Sequence, residues 1–235
     1  MKLKGGNLLN RRWKKSVALV ACLMIIGGSY AGWSIQRATD PTRVEPITLP
    51  DHVELRSGDI IVAGGVSLQS RMVMSLVENN HYSHVGIIQV TPEGLFVIHA
   101  APAGAGDGGF GDRVARIPLS LFLSERGYVS VQVLRVKAEH SDALMLAQDA
   151  CDYAYERAQQ GIPFDSNFDI DEHQTMYCSE LVYLAYRHAG LEWPDTIFRN
   201  VSMPIVDGPV ILPNAFTQCD TLEAIWHHSN EKEKS

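Results

Sequence analysis

A cysteine and a histidine, 94 positions apart, carry the chemistry this chain is equipped to perform. Cys178 lies in Tyr177-Cys178-Ser179-Glu180-Leu181 and His84 in Tyr82-Ser83-His84-Val85-Gly86. A thiol attacks as its thiolate, which helix N-terminal N–H groups and a neighbouring imidazolium both stabilise. After Cys178 the apolar residues Leu181, Val182, Leu184, Ala185 and Ala189 follow a helical period, and Gly190 fits a C-terminal stop. A helix over 178–189 is therefore expected, with Cys178 in its first turn. The competing role for Cys178 is that of a small buried apolar residue. The polar approach Asp171, Glu172, His173, Gln174, Thr175 suits the rim of a site better than entry into a core.

His84 opens the strand candidate Val85-Gly86-Ile87-Ile88-Gln89-Val90. Thr91-Pro92-Glu93-Gly94 has turn composition, and Leu95-Phe96-Val97-Ile98-His99-Ala100 reads as the returning strand. If the turn pairs Thr91 with Gly94, Gly86 faces His99. His84 and His99 are then diagonal neighbours on one face, about 7–8 Å apart at Cα. A one-residue slip would put them on opposite faces. A second histidine behind the first supplies what a Cys–His site requires, a group that fixes the ring and its tautomer. Each histidine taken alone reads as a partly buried, satisfied imidazole. Two on one face, with a cysteine at a helix start, point to catalysis.

These elements belong to a chain of 235 residues, 46% hydrophobic, enough for one moderate domain with a real core. Four strand candidates (around Ile60-Ile61-Val62, the two histidine strands, and Val129 to Val136) and helices at about 67–78, 141–160, 178–189 and 213–219 give an α+β pattern, a small antiparallel sheet packed on helices. The expected organisation is an N-terminal segment 1–38, a linker 39–53, a catalytic domain 54–225 and a tail 226–235 that includes His227 and His228. Ala103 to Gly111 holds five glycines in nine residues and reads as a surface loop beside the site, without the Lys-Ser/Thr of a phosphate loop.

The first 15 residues include Lys2, Lys4, Arg11, Arg12, Lys14 and Lys15, and Ser16 to Ile35 is free of charge. A basic flank before such a stretch is a signal peptide or a single spanning helix, with the domain outside. Three fates are open: cleavage after Ser29-Tyr30-Ala31, lipidation at Cys22 in a lipoprotein-like Leu19-Val20-Ala21-Cys22, or retention as an anchor, which is preferred. The cell envelope is the expected location, with the domain on the extracytoplasmic side. The rest of the chain has 14 basic against 27 acidic residues, so it is a poor nucleic-acid binder. No Cys-x-x-Cys or His-Glu-x-x-His spacing occurs, so neither a metal nor another cofactor is expected. Cys151 reads as a buried helix residue on a stripe with Leu144, Ala147, Ala154, Tyr155 and Ala158. A Cys151–Cys219 disulfide is conceivable in an oxidising compartment.

The ordered set of motifs resembles the YiiX/YaeF-like branch of the NlpC superfamily, cysteine hydrolases with a circularly permuted papain-like fold. The residues that carry the likeness are Gly58-Asp59-Ile60-Ile61, Gln69-Ser70, Tyr82 to Gly86, Val97 to Ala100, Pro163-Phe164-Asp165, Tyr177 to Val182 and Leu212 to Ala215. The order His before Cys is the reverse of papain itself, which geometry permits. The resemblance implies Cys178 as nucleophile, His84 as base and a polar orienting residue at 99. Many relatives have Glu at that position, where this chain has His99. Tyr82, Ser83, Tyr177 and Ser179 are candidates to line the site or its oxyanion hole. The implied substrates are small peptides or acyl compounds, with a cell-wall peptide amide ahead of a lipid ester or amide. A binding module that kept the fold without catalysis is the alternative of a different class.

Overall fold

The computed structural model describes residues 47–103, 111–125, 127–202 and 207–229. The N-terminal apolar segment, with the three fates weighed for it, lies outside them, as do residues 104–110 of the glycine-rich loop.

The hydrophobic alternation in the sequence becomes a six-stranded antiparallel sheet. Its strands are β1 (Ile60–Gly65), β2 (His84–Thr91), β3 (Gly94–Ala101), β4 (Arg113–Pro118), β5 (Tyr128–Val136) and β8 (Leu222–Ser229). Their spatial order is β4-β3-β2-β1-β5-β8, and every neighbouring pair is antiparallel. A separate two-stranded ribbon pairs β6 (Phe198–Ser202) with β7 (Asp207–Ile211). Helices α1 (Leu68–Met74), α2 (Leu119–Glu125), α3 (Ala143–Gln160) and α4 (Cys178–Ala189) complete the described α+β arrangement, with 3₁₀ turns at Asp195–Ile197 and Pro213–Gln218.

The sheet has an apolar core on each side. Ile60, Val62, Val85, Ile87 and Ile98 pack with α3 and α4 through Cys151, Ala154, Leu181, Val182 and Ala185. Ile61, Ile88, Val97 and Val133 pack with Phe122 and Leu123 of α2 and with Tyr128. Central β1 is held at its start by Asp59, whose carboxylate accepts from Arg56 N–H at 2.7 Å and from Arg135 Nε and a second guanidinium nitrogen at 2.7 and 2.8 Å. Gly58 just before it has φ +90° and lies so near α3 that a Cβ would stand 2.2 Å from the Ala147 carbonyl oxygen, so only glycine fits.

Several expectations are corrected. The tail expected from residue 226 is in part a strand: β8 runs to Ser229, and His227 and His228 pair with Gln132 and Val131. Within the linker expected to reach residue 53, Ile47 is buried and Leu49 packs against the same cluster, because spaced apolar residues fold back onto the sheet. α1 stops at Met74, where Ser75 caps it, instead of running to 78. Leu144 is 70% exposed, and the buried line of α3 is Ala150, Cys151 and Ala154. The turn from Pro213 is 3₁₀, led by that proline. Cys151 and Cys219 are not joined to each other, so the conceivable disulfide is not formed.

Gly86 tests how closely β2 and β3 are fitted. A Cβ there would lie 2.6 Å from Val97 Cγ1, 2.9 Å from the Ile98 carbonyl oxygen and 3.2 Å from the His99 Cβ. Gly86→Ala is expected to cost about 1–3 kcal/mol through this overpacking, read as a lowered urea midpoint with an unchanged slope. A midpoint equal to wild type would show that β3 yields freely.

Candidate active site

Register positions the first half of the site. β2 and β3 pair Thr91 with Gly94 and Ile87 with Ile98, the alignment expected from the turn. Both histidines therefore point to one side. His84 Nε2 and His99 Nδ1 are 2.9 Å apart, a hydrogen bond whose donor depends on the tautomers. The rings meet edge to face at 5.1 Å, and Phe122 stacks on His84 at 5.7 Å and meets His99 edge-on at 5.6 Å. Both imidazoles are buried, His99 completely. An aromatic wall and a mutual hydrogen bond leave the pair little freedom to rotate. Phe122 lies on α2, a helix the sequence pattern did not announce.

A helix start positions the second half. Cys178 is the first residue of α4, which packs on the face of β2 and β3 that carries Val85, Ile87 and Ile98, whereas His84 and His99 share the other face with Ile88, Val97 and Phe122. The helix is opened by Tyr177, whose carbonyl accepts from Leu181 N–H at 3.0 Å, and closed by Gly190 at φ +101°. Cys178 is partly exposed, whereas Ser179 beside it is fully buried, with its Oγ 4.0 Å from the Cys178 sulfur. Burial pushes the Cys151 and Cys219 thiols up to about 11, far from the thiolate state at neutral pH.

The other singled-out residues frame these two halves. Tyr177 is buried, and its hydroxyl accepts from Ile211 N–H at 3.0 Å, which ties the helix start to β7. Desolvation pushes its phenol up, as it does that of Tyr82, which reaches about 12. Tyr82 donates to Gln132 Oε1 at 2.9 Å, across β1 on β5. Ser83 donates its N–H to the Ala63 carbonyl at 2.9 Å, leading the chain into β2. Tyr82 and Tyr177 thus spend their hydroxyls on bracing the segments that carry His84 and Cys178. One member of this region was not singled out from the sequence. Glu180 is fully buried, with Oε2 accepting from Tyr177 N–H at 3.3 Å and Oε1 3.0 Å from His173 Nδ1. A Glu three residues after the helix cap was its signal, but its burial was not legible.

A thiol at a helix start, on a helix packed against strands bearing a coupled imidazole pair, is the equipment of a cysteine hydrolase. The model of the permuted papain-like amidases, YaeF/YiiX, C92 family, matches residues 54–226, and the chain belongs to this family of hydrolytic enzymes. The crystal structure of the metalloprotein yiiX from Escherichia coli O157:H7 (DUF1105) is similar to this fold, with a TM-score of 0.56 at 22% identity over 74% of this chain and 98% of that one. No curated protein matches the chain. Among the described residues no group of three or more His, Cys, Asp or Glu is placed to hold a metal ion.

Selective labelling checks the contrast between the thiols. At pH 7.5, iodoacetamide is expected to modify Cys178 in the folded protein, and Cys151 and Cys219 only after denaturation. Peptide mass spectrometry reads each site. Equal labelling of all three under native conditions would contradict the burial described.

Proposed function

We propose that this chain is a membrane-anchored or exported amidase in which Cys178 attacks the carbonyl of its substrate and His84 accepts the thiol proton. The observation that carries the reading is the 2.9 Å bond between His84 Nε2 and His99 Nδ1. It engages one nitrogen of His84 with an orienting partner, and in this reading the other, Nδ1, takes the thiol proton. Cys178 is the first residue of its helix and His84 the first of its strand. The thiolate attacks the carbonyl carbon, and the imidazolium of His84 returns the proton to the departing amine. The tetrahedral oxyanion is held by backbone donors at the helix start, the Cys178 N–H among them. Losing one such donor costs about 10²–10³ in rate. Water, activated by His84, then frees the acyl group and restores the thiol.

The amide of a cell-wall peptide is the favoured substrate, ahead of a lipid ester or amide. The support is the family's amidase character together with the basic flank and charge-free stretch of residues 1–35, which would place the domain outside a membrane. Assays of the purified chain on peptidoglycan fragments and on acyl-ester lipids decide between them. Release of amine from the peptide alone upholds the order given, and turnover of lipid alone reverses it.

Cys178→Ser and His84→Ala should each lower turnover by about three orders of magnitude or more, and the double variant should be no worse than either, since residues acting as a unit are not additive. Wild-type turnover in a single variant that keeps its circular dichroism would assign the chemistry elsewhere.

His99→Ala should leave a measurable remnant of activity, because nucleophile and oxyanion donors remain. His99→Glu should retain more, since a carboxylate accepts the same ring N–H. Melting temperature and turnover for the two variants side by side are the measurement. Early melting with undiminished activity of the folded fraction would make His99 structural only.

A further inference from the structure

Glu180 is a buried carboxyl group that the proposed mechanism does not use, two residues from the thiol. It occupies the third position of α4, and its side chain folds back so that Oε2 accepts the Tyr177 N–H at 3.3 Å. That N–H belongs to the residue whose peptide bond leads directly into Cys178. The other oxygen meets His173 Nδ1 at 3.0 Å, and His173 is half exposed while Glu180 is sealed completely.

The charges around Glu180 decide which protonation state fits. From the loop before α4 it faces Asp165, Asp169 and Glu172, all of which disfavour a further negative charge. From α3 it faces Tyr153, and the basic group there, Arg157, lies over the Tyr153 ring at 4.6 Å and pairs with Glu156 at 3.4 Å. His173 is the one basic side chain bonded to it. A neutral carboxyl satisfies both contacts: its carbonyl oxygen accepts the Tyr177 N–H, and its O–H donates to His173 Nδ1. This arrangement fills the helix start without placing a second anion beside the position where a thiolate must form, where like charge would raise the thiol pKa.

We propose that Glu180 is a positioning residue for Cys178, clamping the Met176–Tyr177 peptide, one residue before the nucleophile, as a neutral carboxyl hydrogen-bonded to His173. The inference rests on Cys178 being the nucleophile proposed above. Desolvation supports the neutral form, pushing the carboxyl up from 4.5 to about 8. The sign of the linkage follows. The folded pKa lies above the unfolded one, so the stabilisation is full below about 4.5 and is lost as pH rises toward about 8.

The test compares Glu180→Gln and Glu180→Ala with the intact chain, using the pH dependence of iodoacetamide alkylation at Cys178 and the melting temperature from pH 5 to 9. The amide of Gln reproduces the neutral clamp, accepting through oxygen and donating through nitrogen. Glu180→Gln is expected to keep the neutral-pH alkylation rate within about twofold and to lose an inflection near pH 8 that the wild-type profile shows. Its melting temperature should gain on wild type as pH rises from 5 to 8. Glu180→Ala, if folded, should alkylate about tenfold more slowly, and if it does not fold, Glu180→Gln alone decides. A Gln variant that reacts as slowly as a folded Ala variant, or whose melting temperature does not gain on wild type between pH 5 and 8, overturns the neutral clamp. A folded Ala variant with the wild-type profile overturns any positioning role. A thiol that titrates near the ~8.5 of free cysteine in Glu180→Gln, where no carboxyl inflection remains, would instead sink the nucleophile assignment, a distinct outcome.

Discussion

The pairing register of β2 and β3 is the constraint from which the site follows. Side chains alternate along a strand, so one residue of slippage would send His84 and His99 to opposite faces and dissolve their hydrogen bond. The tight turn from Thr91 to Gly94 sets the register, and Gly86 sharpens it, because nothing larger fits against Val97 and Ile98. β2 is itself fixed on its other edge by β1, whose start is anchored by the Asp59–Arg135 pair. Geometry at one hydrogen bond thus depends on contacts spread over four strands.

The helix start meets a different requirement. Its N–H groups must be occupied where they lead into the chain and left to act where a thiolate or oxyanion forms. Glu180 meets the first need by accepting the Tyr177 N–H, and the Tyr177 hydroxyl ties the helix start to β7. Both are buried, so the polar groups that shape the helix start are shielded from water, while Cys178 itself stays partly exposed. Aromatic packing has the matching role on the sheet side, where Phe122 walls both imidazoles.

Local signals made much of this legible in the sequence. The period of Leu181, Val182, Leu184 and Ala185 located α4 to the residue, and turn composition fixed the β2–β3 hairpin. What escaped depends on distant partners. β4 is short, holds two arginines and ends on a proline, so its six residues carry little alternation until β3 pairs with them. β8 looked like a polar tail because its strand character comes from β5 alongside. The exposed Leu144 misled for the reverse reason: it fits a helical stripe that the core does not reach. Phe122 and Glu180 carry no local mark of their surroundings, since only the assembled fold shows what an isolated Phe or Glu is packed against.

The strand order has a consequence for how the chain is made. β1 begins the sheet at an interior position, and its neighbour β5 gains its outer partner only when β8 arrives, more than eighty residues later. Until then β5 presents an open ladder of backbone groups along Val129, Val131 and Val133, a template for a second unfinished chain. The finished sheet closes that ladder and ends in borders set with charged and polar side chains, Arg113 and Arg116 on β4 and Glu223 and His227 on β8. Among the described residues, the hazard of edge-to-edge pairing along β5 therefore belongs to the unfinished chain, before β8 has paired.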